Sequence, residues 1–269
     1  VKFYKACRGA GIKPIIGADV LLENPDALER PFRLLLLARN HAGYLRLCSL
    51  LTAAHVAEDK HKGRAQLRFE LLQQGDNSGL ICLSGAHLGQ IGQALLAGHI
   101  NEARAMATQM AALFPNRFYL ELQRLPERPE WESCVSGSLQ LAHELDLPVV
   151  ATHPTQFVHP DDFQAHEARV CIASGYVLAD SRRPRDFEPS QYFATPAQMA
   201  ERFSDVPEAL ANTLAIAKRC NLSITLGQNF LPDFPTPNGL SLNDYLVQLS
   251  HQGLAERMAL LYPDPQLRA

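Results

Sequence analysis

The stretch from Val149 to Glu167 reads V-V-A-T-H-P-T-Q-F-V-H-P-D-D-F-Q-A-H-E and indicates the fold class of the chain. The apolar run from Leu147 to Ala151 opens at Pro148 and is too short for a helix, so it predicts a buried strand. Polar residues follow at once, and His166 and Glu167 come at the start of the next predicted helix. Because chemistry in α/β folds gathers at the carboxyl ends of strands, this segment predicts the rim of a metal-dependent type of site.

Apolar runs of strand length alternate with helical patterns along most of the chain. The predicted strands are 15–20, 33–38, 79–84, 117–122, 148–152 and 223–226. The predicted helices between them are 42–56, 88–97, 101–114, 131–145 and 161–173. Alternation at this spacing favours an α/β fold with a parallel sheet, and this many units would suit a barrel.

The pattern changes after Cys171. The charged, proline-containing segment 181–190 predicts an exposed loop. Two capping boxes with proline at the first helical position, at Thr195 and at Asp205, and a start signal at Ser241 predict three further helices. Three prolines and an Asn-Gly pair make 230–240 the best linker candidate. The predicted parts of the chain are therefore a domain at 1–229, this linker and a helical segment at 241–269.

Composition limits the partners of the chain. It has 269 residues, of which 46% are hydrophobic, so it can bury a substantial core. Its net charge is -3, whereas a surface that grips duplex DNA is usually basic. We therefore expect weak direct binding to DNA.

The cysteines and apolar runs indicate a cytoplasmic protein. The six cysteines are scattered without a C-x-x-C pair, which favours reduced core thiols over zinc or disulfide roles. The sequence shows neither a run of about 20 apolar residues, which a membrane span needs, nor a signal peptide. We expect no membrane association.

Seven sequence blocks occur in an order that is far more specific than any single motif. They are A-G-I-K-P-I-I-G-A-D from Ala10, L-S-G-A-H-L-G from Leu83, F-Y-L-E-L-Q from Phe118, L-P-V-V-A-T-H from Leu147, A-H-E-A-R-V-C-I from Ala165, P-E-A-L-A-N-T from Pro207 and F-L-P-D-F-P-T-P from Phe230. In these blocks the chain resembles the polymerase-and-histidinol-phosphatase (PHP) domain of bacterial replicative DNA polymerase III alpha subunits, most closely those of proteobacteria.

The resemblance implies an irregular (β/α)7-type barrel that lacks its first strands. Those strands, with the family's H-x-H and D-H metal motifs, are expected upstream of Val1, so strand 15–20 is expected at or near a sheet edge. The segment 241–269 would lead into the polymerase palm. The parent chain would be a DNA-directed DNA polymerase that uses Mg²⁺ in its palm, and this piece would not polymerise by itself.

The resemblance also implies that the metal site has been eroded. Metal-binding members read A-T-N-D-x-H-Y, where this chain reads A-T-H-P-T-Q-F at 151–157. Pro154 offers no ligand atom, and the amide of Gln156 is a poorer ligand than imidazole. We therefore expect that the zinc, manganese or iron ions of the family are lost and that no residue is catalytic. The predicted vestigial rim consists of Asp19, His87, Arg124, His153, Gln156, His159, Asp161 and His166.

The sequence leaves two roles open for Asp19. The charge of Arg124 indicates a single role for that residue. Asp19 is either a residual metal ligand or a loop carboxylate that caps backbone amides. Arg124 would be a fixed cation that opposes metal binding. If any metal binds, we expect it on Asp19, His153 and His166.

The first functional hypothesis is a scaffold. The resemblance implies that the domain docks the proofreading exonuclease subunit, braces the polymerase core and meets other replisome subunits through its parent. The basic residues of 181–190, namely Arg182, Arg183 and Arg185, are candidate partner contacts.

Two alternatives belong to the enzyme class. One is an active metal-dependent 3′–5′ exonuclease or phosphoesterase that uses Asp19, His153, His159 and His166 together with upstream motifs. The other is an unrelated α/β hydrolase barrel, which the ordered sequence blocks disfavour.

Overall fold

The computed structural model describes residues 1–57, 63–229, 231 and 233–264. The chain divides into two compact units, Val1–Ser223 and Ile224–Ala269. The predicted linker 230–240 falls within the second unit. Positions 230 and 232 of that linker, and the end of the predicted helical segment at 265–269, lie outside the described residues.

The first unit contains an open sheet of five strands in the order β1-β2-β3-β4-β5. The strands are β1 (Gly17–Leu22), β2 (Phe32–Ala38), β3 (Leu80–Leu83), β4 (Phe118–Leu122) and β5 (Val149–Ala151). The predicted position of the first strand at a sheet edge is confirmed. An open mixed sheet of this kind agrees with a partial (β/α) barrel.

Strand direction corrects one prediction. The pairs β3–β4 and β4–β5 are parallel as predicted, but β1–β2 and β2–β3 are antiparallel. The connection 23–31 between β1 and β2 contains no helix, and a parallel pair needs a crossover of a dozen or more residues. The short connection therefore forces β2 to run back along β1.

The described residues form ten α-helices. They are α1 (Lys2–Gly9), α2 (His41–Val56), α3 (Phe69–Gln73), α4 (Gln90–Leu96), α5 (Ile100–Leu113), α6 (Trp131–Leu145), α7 (Phe163–Ser174), α8 (Pro196–Arg202), α9 (Pro207–Arg219) and α10 (Leu242–Leu261). The predicted starts of the last three are confirmed, and Thr195 and Gln198 form the predicted capping box. The capping box predicted at Asp205 was wrong, because the N-cap of α9 is Val206 and the carboxylate of Asp205 accepts from Arg124 instead. None of the helices within the described ranges is long and apolar enough to cross a bilayer.

The sixth predicted strand was wrong, because residues 223–226 form no strand. Helix α9 already packs against β5, and the side-chain amide of Asn212 donates to the carbonyl oxygen of Val149 at 2.8 Å. The outer side of β5 is therefore covered by a helix. A short apolar run can resemble a strand in sequence and still find no partner in the fold.

Burial follows the sheet. Every residue of β3, β4 and β5 is buried, as expected for strands covered on both faces. Large side chains such as Leu36, Leu80, Phe114 and Phe118 fill the space between the sheet and its helices. All six cysteines are free, and four are buried, which agrees with the predicted core thiols.

Candidate functional site at the strand ends

A cleft of about 660 Å³ lies where β3, β4 and β5 end. Its polar lining comes from β1, β2 and β4, from the segments after β3, β4 and β5, and from the segment 186–191: Asp19, Arg33, His87, Glu121, Gln123, Arg128, Thr152, His153, Thr155, Gln156, Asp186, Glu188 and Gln191. The segment after β5, which the sequence predicted to form the rim of a site, lines this cleft from Thr152 to Gln156.

Glu121 lies at the centre of this polar lining, on β4, and its side chain is fully buried. Its carboxylate accepts hydrogen bonds from Thr152 Oγ1 at 2.6 Å, from Gln123 Nε2 at 3.1 Å and from the backbone nitrogen of Gly85 at 3.1 Å. The backbone nitrogen of Glu121 donates to Ser84 Oγ at 2.9 Å. Sequence analysis missed this residue, although a charged residue within the apolar run F-Y-L-E-L is itself a signal.

Arg33 supplies the positive charge beside Glu121. Its Nη1 lies 3.3 Å from both carboxylate oxygens of Glu121, and its Nε donates to Asp19 Oδ1 at 2.8 Å. Burial acts to lower the pKa of Arg33, but the charges of Glu121 and Asp19 outweigh burial and raise this pKa above its ordinary value. Arg33 therefore stays charged, and Asp19 is engaged in an ion pair.

A glycine allows β2 to approach the turn after β3. Gly85 has φ of 84°, and a Cβ there would lie 2.0 Å from the carbonyl oxygen of Arg33. A larger residue at 85 would collide with the backbone of β2. The close approach brings Arg33 and the nitrogen of Gly85 to the same carboxylate.

His153 uses both ring nitrogens within the protein. Arg202 Nη1 donates to His153 Nδ1 at 2.8 Å, and His153 Nε2 lies 3.0 Å from the carbonyl oxygen of Ser190. Burial and the charge of Arg202 lower the pKa of His153, so the ring is neutral near pH 7. Since Nδ1 accepts one bond and Nε2 donates the other, no lone pair is left for a ligand.

His87 forms an aromatic wall of the cleft. Its ring stacks on Trp131 with 3.6 Å between ring centroids. Burial, together with the charges of Arg33 and Arg128, lowers the pKa of His87 to about 4. Within the described residues its Nδ1 is buried and has no hydrogen-bond partner. His87 is thus a neutral ring held by stacking.

Four of the predicted rim residues do not line the cleft. His166 is 5% exposed and packs against the rings of Phe157 and Phe187. His159 precedes the 3-10 helix Pro160–Asp162, and its backbone nitrogen donates to Asp162. Asp161 is exposed on that turn. The cleft is lined by the other predicted residues, Asp19, His87, His153 and Gln156.

Arg124, the fourth residue outside the cleft, lines a separate groove of about 350 Å³. It forms ion pairs with Asp205 at 2.6 Å and Glu132 at 2.7 Å, and its guanidinium lies 5.2 Å from the ring centroid of Phe203. The hydrogen bond to Asp205 is the main reason that the pKa of Arg124 is raised. The cation beside the cleft carboxylates of Asp19 and Glu121 is Arg33 instead.

The three arginines of segment 181–190 differ in their surroundings. Arg182 is exposed and pairs with Asp180 at 2.9 Å. Arg183 donates to the buried carboxylate of Glu167, so it belongs to the packed structure and not to a free surface. Arg185 is exposed.

Comparison with known proteins shows what the chain is similar to. Residues 1–125 match the PHP domain. The chain is 68% identical over 269 residues to the DNA polymerase III subunit alpha of Neisseria meningitidis serogroup A, which covers 100% of this chain and 24% of that protein. This chain is a homologue of DNA polymerase III alpha subunits.

The same relationship extends to more distant bacteria. Identity is 46% over 263 residues to the alpha subunit of Pseudomonas aeruginosa, covering 98% of the chain and 22% of that protein. Identity to the alpha subunit of Escherichia coli K12 is 43% over 268 residues, a match that covers 100% of the chain and 23% of that protein. The chain thus spans about a quarter of the length of these curated relatives. The homology includes the cleft residues that lie beyond the PHP match.

The cleft contains carboxylates and imidazoles, which are donor types that metal ions use in proteins. Among the described residues, no group of three or more His, Cys, Asp or Glu side chains is arranged to hold a metal ion. The donors that are present have other partners: Glu121 and Asp19 bond to Arg33, and His153 bonds to Arg202 and Ser190. Pro154 and Gln156 line the cleft without adding a carboxylate or imidazole.

Proposed function

We propose that this chain is the PHP part of a replicative DNA polymerase alpha subunit and that its cleft is a metal-free scaffold. The observation that carries the proposal is the charge of the cleft lining. Four carboxylates, on Asp19, Glu121, Asp186 and Glu188, face two guanidiniums, on Arg33 and Arg128. Without a metal ion, such a lining repels a phosphodiester.

The geometry does not favour a phosphoesterase or a 3′–5′ exonuclease. That mechanism needs metal-bound water and several ligands that converge on one point. Of the four residues that this alternative requires, His159 and His166 lie away from the cleft, and His153 has both nitrogens bonded. On our proposal, the polymerase reaction and its Mg²⁺ belong to the palm of the parent chain, which works in the cytoplasm.

We further propose that the domain docks the proofreading exonuclease subunit on the rim loops beside the cleft. Phe157 and Tyr192 pair in a short bridge, which turns the next residues, Val158 and Phe193, outward. Val158 is 62% exposed and Phe193 is 70% exposed, and the nitrogen of Phe193 donates to the carbonyl oxygen of Val158 at 3.3 Å. Two adjacent exposed apolar side chains on a fixed backbone suit a protein interface.

The docking proposal is tested on the full-length alpha subunit. We expect Val158→Asp with Phe193→Asp to weaken binding of the exonuclease subunit at least about tenfold, a loss typical of interface hot spots. The control is Leu214→Asp on α9, where the native side chain is also exposed, at 65%. Equal retention of the exonuclease by both variants in equilibrium binding would place the docking site elsewhere.

The basic segment is tested separately. Arg182→Glu with Arg185→Glu removes exposed charge, while Arg183 stays in place because it pairs with buried Glu167. If this segment steers docking, the variant associates more slowly at low salt and approaches the wild-type rate at high salt. Unchanged association rates at low salt would remove the segment from the interface.

A further inference from the structure

We infer that the guanidinium of Arg33 is the resident cation of the cleft and that it ties strands together in place of a metal ion. The inference rests on the proposed metal-free scaffold and names the group that makes a metal unnecessary. The positive charge of Arg33 also explains why the site can lose metal ligands and still hold the carboxylates of Asp19 and Glu121.

The charge of Glu121 supports this inference. The buried carboxylate of Glu121 needs a compensating cation, because an unpaired buried charge is strongly unfavourable. Within the described residues, Arg33 is the only cationic side chain within ion-pair distance of Glu121. His87 is neutral near pH 7, and Arg128 is paired with Glu188 at 2.6 Å. Arg33 therefore carries the compensation.

The hydrogen bonds of Arg33 and Glu121 also link the strands of the sheet. Arg33 is on β2 and bonds to Asp19 on β1 and to Glu121 on β4. Glu121 in turn accepts from Gly85 after β3 and from Thr152 after β5. One network of side chains and backbone thus reaches all five strands. A metal ion held by ligands from several strands would crosslink them in the same way.

The antiparallel hairpin β1–β2 and the parallel strands β3, β4 and β5 need such a link between them. In the described part of the chain, β3 is the one parallel strand that pairs with the antiparallel hairpin β1–β2, and it pairs with β2 over four residues. The Arg33 side chain reaches from β2 to β4 across the end of β3, where Gly85 allows the backbones to approach. Removal of the guanidinium should therefore loosen the hairpin and expose Glu121.

The test uses the full-length alpha subunit and five variants, of which Asp19→Asn serves to locate any Mn²⁺ bound by the wild type. Arg33→Met removes the charge and keeps the length of the side chain. Arg33→Lys keeps a charge without the planar fork. Arg39→Met is the matched control, since Arg39 is half-buried just after the same strand and its Nη1 donates to the carbonyl oxygen of Ser78 at 3.1 Å. Arg33→Met with Glu121→Gln removes both charges, and remains informative if the single variant folds poorly.

Thermal unfolding in EDTA and in millimolar Mn²⁺ is the measurement. We expect the melting temperature in EDTA to fall for Arg33→Met, less for Arg33→Lys, and least for Arg39→Met. The double variant should melt above Arg33→Met because its core no longer contains an unpaired carboxylate. Mn²⁺ should raise the melting temperature of Arg33→Met and not that of the double variant.

The outcomes separate the two proposals. A melting temperature of Arg33→Met equal to that of Arg39→Met would overturn the inference, as would a double variant less stable than Arg33→Met or a failure of Mn²⁺ to help Arg33→Met. Stabilisation of the wild type by Mn²⁺, lost on Asp19→Asn, would instead overturn the metal-free cleft itself. Both proposals are supported if Mn²⁺ leaves the melting temperature of the wild type unchanged and raises that of Arg33→Met.

Discussion

At the scale of single residues, Glu121 and Asp19 contact the same guanidinium but differ in burial. The side chain of Glu121 is 0% exposed and that of Asp19 is 59% exposed. Breaking a buried pair leaves an uncompensated charge, whereas an exposed pair contributes little because water screens it. The two carboxylates should therefore differ widely in their contribution to stability.

This difference gives the first prediction. We expect Glu121→Ala to lower the free energy of unfolding by about 3–5 kcal/mol, because it removes one partner of a buried pair. Asp19→Ala should cost about 0–1 kcal/mol, as for exposed pairs. Urea unfolding of the two variants measures both values. Equal losses would mean that the burial of Glu121 does not govern its contribution.

His87 gives a prediction about pH. Its pKa is lowered to about 4 in the folded protein, from an ordinary value of 6.5. The unfolded chain therefore binds a proton first as the pH falls, so stability is lost between pH 6.5 and pH 4. After discounting for partial exposure, we expect His87 to account for about 2 kcal/mol of that loss.

The matched variants are His87→Phe, which keeps an aromatic ring beside Trp131, and His99→Phe at an exposed position. His87→Phe should show a shallower decrease of unfolding free energy between pH 6.5 and pH 4 than His99→Phe. Identical pH profiles for the two variants would show that His87 does not resist protonation.

Sequence reasoning found part of the site at this scale, and the rest has a physical reason. Thr152, His153 and Gln156 follow directly after a strand, so the strand-end rule located them. Arg33 and Glu121 are separated by 88 positions along the chain and meet only through the sheet. Their pairing depends on strand order and register, which local patterns do not specify. The charge within an apolar strand was the one available signal.

At the scale of elements, helix α2 is held against the start of β3 by a close contact between two glycines. A Cβ on Gly43 would lie 1.9 Å from the carbonyl oxygen of Gly79. The cap of the same helix lies here, since Asn40 Oδ1 accepts from the nitrogen of Gly43 at 3.0 Å. There is no space for a methyl group between the backbones of Gly43 and Gly79.

We therefore expect Gly43→Ala to destabilise the protein by at least about 1–3 kcal/mol, the usual cost of overpacking. Gly9→Ala in α1 is the control because its Cβ would meet no atom within 4 Å. That change should be neutral or stabilising by up to about 1 kcal/mol, since alanine favours a helix. Chemical unfolding of both variants tests the contact, and a neutral Gly43→Ala would contradict it.

The elements themselves were predictable where local signals were strong. The helix starts at Thr195 and Ser241 carry caps that the structure confirms. Strand direction was less predictable, because the antiparallel pairing of β1 and β2 follows from a helix-free connection and not from apolar pattern. Residues 223–226 have the composition of a strand, but helix α9 covers the side of β5 where a partner would be needed.

At the scale of the whole molecule, the charge argues against a role in gripping duplex DNA. The net charge is -3, and Arg182 and Arg183 are paired with Asp180 and Glu167. Phosphate contacts require unpaired basic side chains and release of counterions. We expect that fluorescence anisotropy at physiological salt detects no submicromolar binding of this chain to duplex DNA. Tight, salt-sensitive binding would contradict the scaffold role.

The most direct test of the account is the transition-metal content of the full-length alpha subunit, measured by mass spectrometry after incubation with zinc, manganese and iron and removal of excess. The account predicts less than one such ion per chain, unchanged in Asp19→Asn and Glu121→Gln variants, because Arg33 already occupies the charge position between those carboxylates. Two or more ions per chain in the wild type, lost in either variant, would contradict it.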